Sequence, residues 1–157
     1  AQARTVVLAN AADALRLLAT DPVRRDDWVL TPHPGEAATL LGVGNAAVNA
    51  DRPQSARGLH ARYGGSVLLK GAGSLVVSDG SVPLAVCTDG NPGMASGGMG
   101  DVLSGVIGSL LAQHLPALEA TALGVCLHGA AADAAAADGQ RGLVASDLAP
   151  LMRTLLG

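Results

Sequence analysis

The chain has 157 residues, 49% of them apolar, and a formal net charge of −3. That length suits one domain with a substantial core, and the apolar content argues against disorder. It has no Phe, one Trp and one Tyr, and no basic run, which argues against base stacking and polyanion binding, so no nucleic-acid partner is expected.

In chain order, the β-branched run "TVVLA" (5–9) predicts a strand and "ADALRLLAT" (12–20) a helix with Leu15 and Leu18 on one side. "DWVLT" (27–31) predicts a second strand, stopped by Pro32. "PGEAATLLG" (34–42) predicts a helix: Pro34 suits the first helical position, Glu36 suits the N-terminal dipole and Gly42 ends it. "RPQSARGLHARYGG" (52–65) predicts another helix with a glycine stop, and "SVLLK" (66–70) a strand. "SLVVSDG" (74–80) and "VPLAVC" (82–87) predict strands joined by an Asp-Gly turn. A glycine-rich loop follows, then helices at about 101–113, 117–137 and 146–155. Strands alternate with helices in the first half, which predicts an α/β fold with a parallel sheet covered by helices. The segment from Lys70 to Cys87 breaks that pattern with a meander at a sheet edge.

Cys87 and Cys126 have no C-x-x-C spacing and read as buried free thiols of a reducing compartment rather than metal ligands. No signal peptide is evident, and the weakly polar run 120–137 is Ala-rich and contains His128 and Asp133, unlike a membrane span. A cytoplasmic protein without a membrane partner is expected. His60 and His114 read as surface residues, and His128 as a core or pocket-wall residue.

Three stretches carry the chemistry. "NPGMASGGMGDVLSG" (91–105) has five glycines and runs into an apolar helix. It fits neither a P-loop nor a dinucleotide fingerprint. Glycines bring backbone N–H groups close to a ligand, and a helix start has unpaired N–H groups and positive partial charge, so Gly97, Gly98, Met99 and Gly100 form a candidate anion hole. Asp101 sits at that helix start, an unusual place for a negative charge. In "TPHPGE" (31–36), His33 lies between two prolines at a strand's C-terminal end, where open α/β sheets bind ligands. In "KGAGS" (70–74), Lys70 is the single lysine among ten basic residues, and it can place an ammonium on a phosphate beside Gly71 and Gly73. A solvated strand end and a plain β-turn remain open for this stretch.

"LTPHPGEAATLLG", "VLLKGAGSLVVSDG", "NPGMASGGMGDVLSGVIGSLLAQ", "LGVCLHGAAADAAA" and "GLVASDL", in this order, closely resemble the ADP-dependent NAD(P)H-hydrate dehydratase family of the ribokinase-like superfamily. The resemblance runs over nearly the whole chain. It implies a three-layer α/β/α sandwich with a mostly parallel sheet. It also implies repair of hydrated NADH or NADPH: ADP phosphorylates the ring hydroxyl, and elimination of phosphate gives NAD(P)H and AMP. By motif, His33 and Asp101 would contact the hydrated dinucleotide. Lys70, Gly71, Ala72, Gly73 and Ser74, with Gly100, would bind ADP or AMP. Asp101 would be the general base, Mg²⁺ would bridge the phosphates without a nameable protein ligand, and a homo-oligomer is implied. The family's acidic segment after its first strand reads "NAADAL" (10–15) here; Asp13 matches its second acid, but Ala11 replaces the first. Family domains extend further at the N-terminus, so residues 1–157 are expected to be one partial domain, aggregation-prone unless another chain covers its apolar faces. A small-molecule kinase of the same superfamily and a non-catalytic nucleotide-binding fragment remain alternatives.

Overall fold

A computed structural model of the protein describes residues 7–9, 12–78 and 85–157. Ala11 and the Asp79–Gly80 turn lie outside the described residues; Asp13 falls in the first helix. The elements are β1 (Val7–Ala9), α1 (Ala12–Thr20), β2 (Trp28–Leu30), α2 (Pro34–Leu41), α3 (Asn45–Ala50), α4 (Arg52–Tyr63), β3 (Ser66–Leu69), β4 (Ser74–Val77), β5 (Ala85–Cys87), α5 (Met99–Ala112), α6 (Ala117–Ala135) and α7 (Leu148–Leu156). The strands form one sheet in sequence order. β1, β2 and β3 run parallel, and β4 and β5 add antiparallel as the expected edge meander.

β2 and β3 are buried at every residue, as strands covered on both faces must be. Because successive side chains point to opposite faces, the central strands feed two cores. Leu30, Val67 and Leu69 pack with Leu40, Val48, Leu59 and Tyr63 from the α2–α4 layer. Val29, Leu68 and Val76 pack with Leu103 and Ile107 of α5 and Val125 of α6. A third cluster joins Met99, Ala131 and Ala132 to Leu148 and Met152 of α7. Each large apolar side chain so buried contributes about 1.5–3 kcal/mol of transfer free energy. The single Trp and Tyr serve the first core with their polar tips satisfied: Trp28 Nε1 donates to Tyr63 O at 3.0 Å, and the Tyr63 hydroxyl donates to Leu40 O at 2.7 Å.

Two features depart from the sequence expectation. Helix α3 has no counterpart in it, because its six residues bury a single apolar side chain, Val48, and so carry no periodicity. Asp51 ends α3 and caps α4, its Oδ1 accepting from Gln54 N at 2.9 Å. Helix α5 begins at Met99 rather than near 101, so Met99 and Gly100 belong to its first turn.

Candidate functional site

"TPHPGE" leaves the C-terminal end of β2, "KGAGS" leaves that of β3, and the glycine-rich loop joins β5 to α5. The two exits are tied together, with Lys70 N–H donating to Pro32 O at 2.9 Å. His33 caps α2 through a reciprocal pair. Its Nδ1 accepts from Gly35 N at 3.0 Å and Glu36 N at 3.3 Å, and its own N–H donates to Glu36 Oε2 at 2.7 Å. Nε2 of the half-exposed ring lies 3.6 Å from Glu36 Oε1.

Lys70 lies 4.0 Å from the Glu36 carboxylate. Burial lowers the affinity of its ammonium for a proton, while the charges of Glu36 and then Asp101 raise it. One partly buried ammonium therefore pairs with a carboxylate from α2 and also feels the charge of Asp101 on α5. The sequence reading of Glu36 as a dipole-stabilising residue missed this second contact, for which a carboxylate three residues after His33 is the only local signal.

The glycine loop is fixed from α6. Asp133 accepts from Gly90 N at 2.8 Å and from Asn91 Nδ2 at 2.9 Å, and Asn91 Nδ2 also donates to Ala132 O at 3.0 Å. Asn91 Oδ1 then accepts from Gly93 N, opening a 3₁₀ turn over Pro92–Met94. Ser96 Oγ is buried with no hydrogen-bond partner. Gly98 takes the left-handed conformation (φ 84°), which suits glycine, and turns the chain into α5. The first intrahelical bond there is Val102 N to Gly98 O, so the N–H groups of Met99, Gly100 and Asp101 have no acceptor within the helix. Gly97 and Gly98 are exposed, Met99 is buried, and Asp101 is exposed in the first turn, a placement the helix dipole favours.

His128 was expected as a core or pocket-wall residue. It is 4% exposed, and its Nε2 has no hydrogen-bond partner. Burial pushes its pKa below the ordinary imidazole value; a hydrogen bond to the Met99 backbone opposes this, and the Lys70 charge adds to it. Burial therefore favours the neutral imidazole, next to the Met99 backbone at the first turn of α5. Of the other histidines, His114 is exposed, but His60 is half-buried and its Nδ1 lies 2.8 Å from Gly65 O.

The 70–74 loop is held from behind, a feature the sequence reading did not contain. Ser74 Oγ donates to Gly71 O at 3.1 Å, and Arg52 reaches the loop's carbonyls from the start of α4. The space that Gly71 leaves open is filled by the Arg52 guanidinium rather than kept for a ligand.

A cleft of about 120 Å³ is lined by Leu15, Arg16, His33, Gly35, Glu36 and Thr39. That is below the roughly 300–1,000 Å³ of small-molecule sites. A wider depression of about 770 Å³ is lined only by residues from α7 and Gly157, and by none of the candidate site residues. Cys87, Asp89 and Cys126 bring their ligand atoms within 4.8 Å of one another. Two thiols and one carboxylate do not suit Mg²⁺, which takes oxygen ligands, and burial pushes the Cys87 thiol up to about 12. No helix among the described residues is long and apolar enough to cross a membrane.

A model of the NAD(P)H-hydrate dehydratase family matches residues 2–153. The chain is 52% identical over 146 residues to the bifunctional NAD(P)H-hydrate repair enzyme Nnr of Coxiella burnetii, covering 92% of this chain and 30% of that protein. It is 47% identical over 152 residues to the ADP-dependent (S)-NAD(P)H-hydrate dehydratase of Neisseria meningitidis, covering 92% of this chain and 51% of that one. Among solved structures, the ADP/ATP-dependent NAD(P)H-hydrate dehydratase of Bacillus subtilis, co-crystallised with ATP and Mg²⁺, superposes with a TM-score of 0.76 at 28% identity. That match covers 82% of this chain and 47% of the other. The chain therefore spans about half or less of the relatives it matches. A ribokinase-like three-layer α/β/α fold and long, ordered motif identity agree: the chain belongs to the NAD(P)H-hydrate dehydratase family.

Proposed function

We propose that the protein repairs hydrated NADH or NADPH at the expense of ADP. The observation that carries this reading is the Lys70–Glu36 pair within electrostatic reach of Asp101, which lies in the first turn of α5, where the N–H groups have no acceptor within the helix. That arrangement supports a division of roles for a carboxylate beside an anion hole. Asp101 faces the substrate hydroxyl and accepts its proton, while the N–H groups of residues 97–101 hold the arriving phosphoryl. Lys70 neutralises charge on the phosphates, and Gly71, Ala72, Gly73, Ser74 and Gly100 border the adenine nucleotide. His33 presents its half-exposed ring to the hydrated dinucleotide. The hydroxyl oxygen forms a bond to the β-phosphorus of ADP as the bond to AMP breaks. The C–O bond then breaks, phosphate leaves with its electron pair, and loss of the neighbouring proton restores the ring double bond. The atoms of water thus end in phosphate and a released proton. Positioning and electrostatics supply most of the rate in phosphoryl transfer.

Mg²⁺ would supply charge neutralisation at the bridging phosphate oxygens. A cytoplasmic setting accords with Cys87 and Cys126 being free although their sulfurs lie close together. Self-association accords with the exposed Leu17, Leu155 and Leu156, and sedimentation of the purified protein tests it.

The test is ADP-dependent recovery of NADH absorbance from hydrated NADH by the purified protein. Asp101→Asn is expected to lower turnover by about 10²–10⁴-fold with ADP binding retained. Near-normal turnover of that variant would remove Asp101 from the mechanism. Stable phosphorylation of a free alcohol would make the protein a kinase, and nucleotide binding without turnover would make it a binding module.

A further inference from the structure

Arg52, outside every motif of the sequence reading, uses its two terminal nitrogens on four backbone carbonyls of one loop. Nη1 donates to Ala72 O at 2.7 Å, and Nη2 to Gly73 O at 3.0 Å and to Leu69 O and Lys70 O at 3.3 Å. Its Nε is buried without a partner, and among the described residues no carboxylate pairs with it. The charge is therefore spent on the loop alone.

Carbonyls converging on one point repel, and a planar cation relieves that repulsion while fixing each peptide plane. In a trans peptide the C=O of one residue and the N–H of the next point opposite ways. Drawing the carbonyls of Leu69, Lys70, Ala72 and Gly73 back to the guanidinium turns the N–H groups of residues 70, 71, 73 and 74 forward. Lys70 N–H is already bonded to Pro32 O. Ser74 opens β4 and pairs with Cys87 of β5, so the N–H groups of Gly71 and Gly73 are left facing the side opposite Arg52, a donor set of the kind that binds anions. Gly71 (φ 146°) shares in this design, since a Cβ there would lie 2.8–3.0 Å from the guanidinium atoms.

We propose that Arg52 is the positioning residue of the nucleotide loop: it aims the Gly71 and Gly73 N–H groups at the phosphates of the adenine nucleotide and lends them a positive field from behind. The proposal rests on the reading of residues 70–74 as the ADP site. Lysine cannot replace arginine here, because a point charge cannot hold four separated carbonyls in one plane.

The experiment compares wild type, Arg52→Gln, Arg52→Lys and Lys70→Met by calorimetric titration with ADP and AMP. Separate KM values for ADP and for hydrated NADH are measured alongside. Both Arg52 variants are expected to weaken ADP about tenfold or more, while KM for hydrated NADH stays within about twofold. Should Arg52→Gln fail to fold, Arg52→Lys keeps the stem and the charge and carries the test. Unchanged ADP affinity in the folded Arg52 variants, with Lys70→Met weakened, overturns the role of Arg52 and leaves the ADP site standing. Equal rises in both KM values would mean that Arg52 only maintains the fold, which also overturns it. If wild type binds neither nucleotide, or Lys70→Met binds as wild type does, the ADP-site reading itself falls.

Discussion

A single methyl group added at Gly129 tests how α6 sets the glycine loop. An ideal Cβ there would lie 2.8 Å from three atoms of Asp89: its carbonyl carbon, its carbonyl oxygen and its Cβ. Two of the three are backbone, so no side-chain rotation relieves the contact. Gly→Ala inside a helix gains about 1 kcal/mol of propensity, whereas overpacking a close contact costs about 1–3 kcal/mol. The net effect of Gly129→Ala is a loss of up to about 2 kcal/mol, near the upper end because three atoms collide at once. Gly105 in α5 supplies the matched control: it is exposed, no atom lies within 4 Å of its would-be Cβ, and only the propensity gain applies. Urea unfolding of both variants should separate them by about 1–3 kcal/mol, with Gly105→Ala above wild type and Gly129→Ala below it. Gly129 lies one turn before Asp133, which holds Gly90 and Asn91, so Gly129→Ala should also weaken phosphate-ligand binding. If Gly129→Ala proved as stabilising as Gly105→Ala, α6 would not press on the Asp89 backbone and the account of the loop's anchorage would fail.

His128 makes stability depend on pH. Its folded pKa lies below the ordinary value of about 6.5, so the unfolded chain takes the proton first. Its contribution is therefore complete above about pH 6.5 and is lost as pH falls toward its folded pKa. His128→Gln should flatten that part of the urea-midpoint profile, and an unchanged slope would show that another group causes it. Lys70→Met should raise the His128 pKa, read by proton NMR, by less than the whole shift, because burial is the larger cause. A fall, or no movement, would mean that the ammonium does not reach the ring. The Cys87 thiol is raised to about 12 by burial first and by Cys126 second. At pH 8 only about 1 in 10⁴ molecules would carry its thiolate. Iodoacetamide should spare Cys87 in the folded protein and label it in urea; equal labelling in both states would refute its burial. Its contribution to stability holds below its unfolded value of 9.0 and falls as pH rises toward about 12.

Legibility followed range along the chain. Strands β2 and β3, the Pro34 and Gly42 ends of α2 and the glycine entry to α5 rest on residues a few positions apart, so composition and spacing expose them. The order and identity of the long motifs were likewise enough to assign the family. Helix α3 escaped because one buried valine makes no pattern. The site's supports escaped for a different reason. Arg52 meets its loop 17 to 21 residues away, and Asp133 meets Gly90 and Asn91 more than 40 residues away. Such contacts leave no local signature, since any exposed arginine or helical aspartate reads the same in sequence. Sequence alone determined which chemical groups the protein has and which strand ends and helix starts carry them. Only the tertiary structure decided that Lys70 pairs with Glu36, that His128 is buried beside the first turn of α5, and that Gly71 makes room for Arg52. Those relations depend on how the helices dock on the two faces of the sheet, and docking is fixed by summed burial across both cores rather than by any short stretch of residues.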